Sequence, residues 1–176
     1  IGAVLIFDEI TSGFRMCAGG IHLKYGVNPD IAIFAKSMAN GYAMASVVGV
    51  ESVMNAAQST FISSTNWTER IGPVAAIATI KKYINENVAA HIIEIGTEVK
   101  TVWESMAKRH ELDINITGLP TLAAFSFANA NNQEIMTYFT IEMLKLGFLG
   151  FRQFKPSLSH TSNDVDKYSK AVDYVF

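Results

Sequence analysis

Four consecutive apolar residues, Val4-Leu5-Ile6-Phe7, run straight into two carboxylates, Asp8-Glu9. A strand with one face in water alternates apolar and polar side chains, whereas an unbroken apolar run belongs to a strand covered on both faces, as in a parallel sheet between helices. A strand is therefore expected over Ala3–Phe7, within an α/β architecture. A second run of the same kind, Asp30-Ile31-Ala32-Ile33-Phe34-Ala35, ends at Lys36, and a third strand is expected over Ala45–Val50. A doubly covered parallel strand needs neighbours that precede it in the chain. A sequence opening inside one is expected to be truncated at its N-terminus.

Between the first two strands, Gly19-Gly20 and Gly26 break up any long helix. A short helix is expected over Glu51–Gln58. Helix-start signals over Thr68–Pro73 lead into Val74, Ile77, Ala78 and the stretch from Lys81 to Ile84. From His91 onward, Ile92, Ile95, Val99, Val102 and Met106 recur at three and four residues, the stripe of a long helix packed on a core. Beyond Asp113 the pattern changes. Leu122–Ala128 reads as a strand, Gln133–Leu146 as a helix stopped by Gly147, Phe148–Phe154 as a strand and Asn163–Tyr174 as a last helix. This mixed order predicts a small α+β domain over 110–176, after a first domain over 1–109 with its boundary near Arg109.

Of the 176 residues, 49% are apolar and 17% charged, a composition that folds. The net charge is −2, and no basic stripe or polybasic run asks for nucleic acid or anionic lipid. No apolar stretch approaches the roughly 18 residues that span a bilayer, so no membrane is expected. Cys17 is the only cysteine, which excludes an internal disulfide and fits a cytoplasmic setting. His22, His91, His110 and His160 show no metal-ligand spacing, and no metal is expected.

Ligands of open α/β sheets bind outside the carboxyl ends of the strands. Asp8 and Lys36 both stand there. Taken singly, each reads as a solvated charge at a strand end. Taken together they suit one chemistry. A desolvated lysine amine forms a Schiff base with an aldehyde, and a lysine-bound pyridoxal phosphate (PLP) wants a carboxylate at its ring nitrogen.

Three segments then match a known pattern. Leu5-Ile6-Phe7-Asp8-Glu9-Ile10-Thr11-Ser12-Gly13-Phe14-Arg15 resembles the signature of class III, fold-type I aminotransferases. Tyr25-Gly26-Val27-Asn28-Pro29-Asp30 resembles the approach to the family's lysine strand, and Lys36-Ser37-Met38-Ala39-Asn40-Gly41 resembles its lysine segment. The tail, Ser157-Leu158-Ser159-His160-Thr161 with Asp164-Val165-Asp166, is similar to that of glutamate-1-semialdehyde aminomutases and their relatives; His160 is expected to be structural. The resemblance covers the chain but only the later part of the family's length. It leaves out the glycine turn that cradles the phosphate and the aromatic residue that stacks on the ring.

The resemblance implies the C-terminal part of the fold-type I PLP-dependent large domain, followed by a small α+β domain. It implies PLP as cofactor, with Lys36 as its Schiff-base lysine and acid/base, and Asp8 at the pyridinium nitrogen. Within Ser63-Ser64-Thr65-Asn66-Trp67, Thr65 would reach the phosphate in a neighbouring subunit, making a homodimer with shared sites. Ser64 and Thr68 are alternatives, and Thr68 could instead cap a helix. The implied reaction moves an amino group between an amino donor and a carbonyl acceptor. Two departures bear on it. Ala39-Asn40-Gly41-Tyr42-Ala43 stands where aminomutases usually carry Gly-Gly-Gly-Leu-Pro, and Gln153, with Arg152 beside it, stands where many members place a carboxylate-binding arginine. The rival readings are glutamate-1-semialdehyde 2,1-aminomutase and a folded fragment without activity.

Overall fold

A computed structural model describes residues 2–176. The chain forms two compact units that divide between Ala89 and Ala90.

The first unit is built on a three-stranded sheet in the order β1-β2-β3. Strand β1 (Ile6–Asp8) runs parallel to β2 (Ile31–Phe34), with Phe7 opposite Ala32 and Asp8 opposite Ile33. The expected parallel pairing is therefore present, with a partner later in the chain. Strand β3 (Ser46–Gly49) pairs with β2 antiparallel, an orientation the sequence did not specify. A parallel pair requires a crossover, which residues 9–30 provide. The crossover contains a one-turn helix, α1 (His22–Tyr25), ended by Gly26 at a left-handed φ of 65°. The sequence placed the first strand over Ala3–Phe7 and buried it on both faces. Its ladder begins only at Ile6, and Val4, Leu5 and Ile6 are exposed. Each keeps 44–53% of its surface open, so the described residues cover them only in part.

After β3 come α2 (Glu51–Met54), a 3-10 turn over Asn55–Ser59, and α3 (Ile71–Asn85). Helix α3 supplies Ala76 to a small core with Met38 and Ala39, against which Phe14, Phe34, Met44 and Ile80 pack. This core lies directly after Lys36, so it anchors the segment on which that lysine stands.

The second unit takes up nearly all of α4 (Val88–Arg109). Its apolar stripe buries Ile92, Ile95, Val99, Trp103 and Ala107, so the helix packs with the strands and helices on its C-terminal side. The sequence put a boundary at the far end of this helix; the packing divides near its start. Strands β4 (Ile114–Thr117), β5 (Ala123–Phe127) and β6 (Gln153–Phe154) form an antiparallel sheet in that order. Helices α5 (Asn132–Lys145) and α6 (Ser162–Val175) complete the α+β layer, and α6 opens on a capping box between Thr161 and Asp164. The centre is aromatic. The Phe125 ring lies 4.8 Å from Trp103 and 5.4 Å from Phe139, with Met143 and Val172 fully buried beside them. Trp103 meets its polar need by donating from Nε1 to the Tyr168 hydroxyl at 2.9 Å. Helix α4 also passes close to the 3-10 turn at Pro120–Leu122. A Cβ on Gly96 would collide with the carbonyl of Pro120, so only glycine fits at that crossing. Among the described residues, no helix is long and apolar enough to cross a membrane.

Candidate active site

Because β1 and β2 are parallel, their carboxyl ends open on the same edge of the sheet. Asp8 is the last residue of β1, paired with Ile33; Lys36 lies three residues beyond Ile33, just past the end of β2. The fold thus brings to one edge the two residues singled out by sequence. Both are exposed. The desolvation expected of Lys36 is therefore not met within this chain.

Lys36 opens a 3-10 turn, Lys36–Met38, in an unusual backbone conformation. Its φ is 46°, in the left-handed region that non-glycine residues seldom enter. The turn is pinned by Met38 and Ala39, both buried. Lys36 Nζ donates a hydrogen bond of 2.6 Å to Thr11 Oγ1, on the turn leaving β1. Asp8 Oδ1 accepts from the Ile10 N–H at 3.0 Å, an Asx-type contact that holds the carboxylate at the strand end.

Beneath these two lies a residue that sequence reasoning passed over. Glu9 is 1% exposed, whereas Asp8, its neighbour, is open to solvent. Side chains alternate along a strand, so the second acid of the pair turns inward. Its N–H donates to the Ile33 carbonyl at 2.9 Å, continuing the β1–β2 ladder. Its carboxylate accepts from Ser12 Oγ at 2.5 Å and from the His22 N–H at 3.1 Å, and lies 2.9 Å from His22 Nδ1. Burial alone would raise its pKa. The hydrogen bonds from Ser12, from the Ile21 and His22 backbone and from the His22 ring outweigh that cost, and the pKa ends below its ordinary value. The loop is built tightly around this group. A Cβ on Gly20 would lie 2.7 Å from Glu9 Oε1 and closer still to the His22 ring. Alternation along the strand was the one signal that could have marked Glu9, and a two-residue acid pair is too short to show it.

Behind the turn, Phe14 packs edge-on against Tyr83 of α3, ring centroids 6.0 Å apart. The Tyr83 hydroxyl has no hydrogen-bond partner among the described residues. Burial, with a smaller contribution from Cys17 and against an opposing one from Arg15, pushes its pKa up to about 12.

Thr65 lies elsewhere in the first unit, at the start of an exposed turn over residues 65–68. Among the described residues no hydrogen bond joins it to Asp8 or Lys36; the sequence had expected it to serve a neighbouring subunit. Ser64 and Trp67 share that turn through the bond from the Trp67 N–H to the Ser64 carbonyl at 3.3 Å. In the second unit, His160 is held by its own loop. Its Nδ1 accepts from the Ser157 N–H at 3.0 Å, and its carbonyl lies 2.8 Å from His91 Nε2.

An amine and a carboxylate at adjacent parallel strand ends suit a ligand that offers a carbonyl carbon at one end and a basic ring nitrogen at the other. Comparison with known proteins points the same way. The pattern of the family described as Aminotransferase class-III matches residues 1–173. A 3-aminobutyryl-CoA aminotransferase of Cloacimonas acidaminovorans is 43% identical over 129 residues, covering 70% of this chain and 30% of the relative. A glutamate-1-semialdehyde 2,1-aminomutase of Nitrosopumilus maritimus is 28% identical over 93% of this chain and 43% of its own length. Among solved structures, the PLP internal aldimine form of the FumI protein from Sphingopyxis sp. MTA144 superposes with a TM-score of 0.93, at 26% identity, over 99% of this chain and 42% of that one. The chain thus spans well under half the length of each of these proteins.

Proposed function

The chain belongs to the class III aminotransferase family, and from that premise we propose that it is the part of a PLP-dependent aminotransferase that holds the cofactor's lysine and its ring partner. The observation that carries this reading is the placement of Asp8 and Lys36 at neighbouring parallel strand ends. The donor set fits the cofactor. Lys36 Nζ offers an amine to an aldehyde, and the Asp8 carboxylate offers a negative charge to a protonated ring nitrogen. When bound, PLP supplies an aldehyde and an electron sink that let an amino group pass from a donor to a carbonyl acceptor.

The chain's own residues then divide the work. Lys36 Nζ attaches the cofactor and, once free, holds and moves the proton at the reacting carbon. Asp8 keeps the ring nitrogen protonated by pairing with it. Glu9 holds the loop behind Asp8 through Ser12 and His22. The first unit is a piece of the large cofactor-binding domain, and the second is the small C-terminal domain.

The test is chemical. Borohydride reduction of the full-length holoenzyme, followed by peptide mapping, should place a pyridoxyl group on Lys36. A pyridoxyl group on Lys24, Lys81 or any other lysine would sink the assignment. The full-length protein is also proposed to be a homodimer, in which the exposed turn at Thr65 serves the partner's cofactor phosphate. Mixing an inactive Lys36→Ala chain with an inactive Thr65→Ala chain should restore part of the activity through hybrid sites; confirmed subunit exchange with no recovery refutes the shared site. An aminomutase is the second reading, motivated by the N. maritimus relative. Turnover of a semialdehyde with no activity toward any keto-acid acceptor would favour it.

A further inference from the structure

We propose that Thr11 is a positioning residue for the Lys36 amine, and that the buried Glu9 carboxylate fixes the turn from which Thr11 acts. The proposal rests on the reading of Lys36 as the lysine that takes the cofactor. A lysine side chain is a flexible four-carbon stem with a compact charged head, and nothing intrinsic to it chooses a direction. Here both of its ends are constrained. At the base, the left-handed backbone at Lys36, φ 46°, is held by the buried pair Met38 and Ala39. At the tip, Nζ donates to Thr11 Oγ1 at 2.6 Å across a separation of 25 residues.

The acceptor is itself well placed. Threonine is branched at Cβ and has few χ1 choices. Its turn is closed by the bond from the Gly13 N–H to the Glu9 carbonyl at 2.8 Å. A Cβ on Gly13 would meet that carbonyl at 2.7 Å and the Phe34 ring at 2.8 Å, so the turn lies tight on the sheet. The next residue, Ser12, donates to the Glu9 carboxylate, which the His22 N–H also binds. The hydroxyl is thus tied to β1 on one side, and the lysine to β2 on the other. A carboxylate at position 11 would hold the amine as a salt bridge. A hydroxyl directs it without adding a charge, and can release it to an incoming aldehyde. Attachment forms a bond from Lys36 Nζ to the aldehyde carbon and expels the aldehyde oxygen as water, so an amine already aimed at the strand-end edge reaches that carbon with less searching.

The experiment uses the full-length protein freed of cofactor, with PLP added and attachment followed by visible absorbance in a stopped-flow instrument. Thr11→Val keeps the shape and removes the hydroxyl; it should slow attachment by about threefold to tenfold, the range expected for one lost hydrogen bond. Thr11→Ser restores the hydroxyl without the methyl group and should return the rate to within about twofold of the parent, which a purely steric role would not do. If Thr11→Val does not fold, Thr11→Ala carries the same comparison. A valine variant as fast as the parent overturns the proposal, as does a serine variant as slow as valine. Borohydride mapping of the parent separates the two levels. A pyridoxyl group on another lysine brings down the reading of Lys36 and this proposal with it, whereas a pyridoxyl group on Lys36 with unchanged Thr11→Val kinetics brings down this proposal alone.

Discussion

Replacing Glu9 by glutamine should loosen the loop behind Asp8 without emptying the space the side chain fills. The glutamate carboxylate accepts from Ser12 Oγ, from the His22 N–H and from the Ile21 backbone, and faces His22 Nδ1. A glutamine carbonyl can keep the His22 side. Its amide can meet the Ser12 hydroxyl, which turns to accept instead of donating. What is lost is charge assistance, which roughly doubles the worth of each bond. At about 0.5 kcal/mol per bond, the four bonds together amount to roughly 2 kcal/mol. Glu9→Ala removes every acceptor and leaves the donors buried, costing about 4 kcal/mol. Hydrogen exchange of the Ile21 and His22 amides in the full-length protein reads this directly. At neutral pH their protection in Glu9→Gln should fall about thirtyfold, the equivalent of about 2 kcal/mol. The pH dependence gives a second check. The folded-state pKa of Glu9 lies below its ordinary 4.5. Its contribution is therefore complete above that ordinary value and is lost as pH falls through the folded-state value. The difference in protection between the parent and the glutamine variant should close in that acid range. Equal protection at neutral pH, or a gap that stays constant into acid, would refute the reasoning.

In the full-length enzyme, Asp8→Asn should keep cofactor on Lys36 yet lose most of its activity, because an amide cannot supply the charge that holds a proton on the ring nitrogen; turnover at the parent rate would remove Asp8 from that role. Tyr83→Phe should leave stability unchanged or raise it by about 0.5–1 kcal/mol in urea unfolding, since it deletes a buried hydroxyl that has no hydrogen-bond partner among the described residues and keeps the ring packed on Phe14. A loss above about 1 kcal/mol would show that the hydroxyl is bonded in the whole protein.

Much of this architecture was legible because its signals are local. The run Ile31–Phe34, the stripe on α4 and the helix stopped before Gly147 each declare themselves within one continuous stretch of sequence. The parallel pairing of β1 and β2 was implied by their unbroken apolar runs, and the strand-end rule then placed Asp8 and Lys36 at one edge. Other features depend on contacts that no short window shows. Strand β4, Ile-Asn-Ile-Thr, alternates over only four residues and is fixed by its pairing with β5. The segment Phe148–Phe154 reads as a full strand, yet only Gln153 and Phe154 form a strand against β5, with the Arg152 carbonyl before them accepting from the Phe125 N–H. Trp103 falls outside the spacing picked for the α4 stripe, yet it is fully buried against Phe125. At the site, Glu9 and Thr11 were invisible as participants because their partners, His22 and Lys36, lie 13 and 25 residues away.

The outer strand of the first sheet carries a practical liability. Strand β1 stands at the edge, and Val4, Leu5 and Ile6 beside it are 44–53% exposed. Proteins usually blunt such an edge with a lysine, a proline or a bulge. From Ile1 to Phe7 this segment has neither a charged side chain nor a proline. An exposed edge with β-branched side chains at Val4 and Ile6 is a template for cross-chain pairing. These 176 residues produced alone should therefore tend to aggregate through β1, and a single lysine at Val4 or Ile6 should suppress that pairing while leaving the Asp8–Lys36 edge intact.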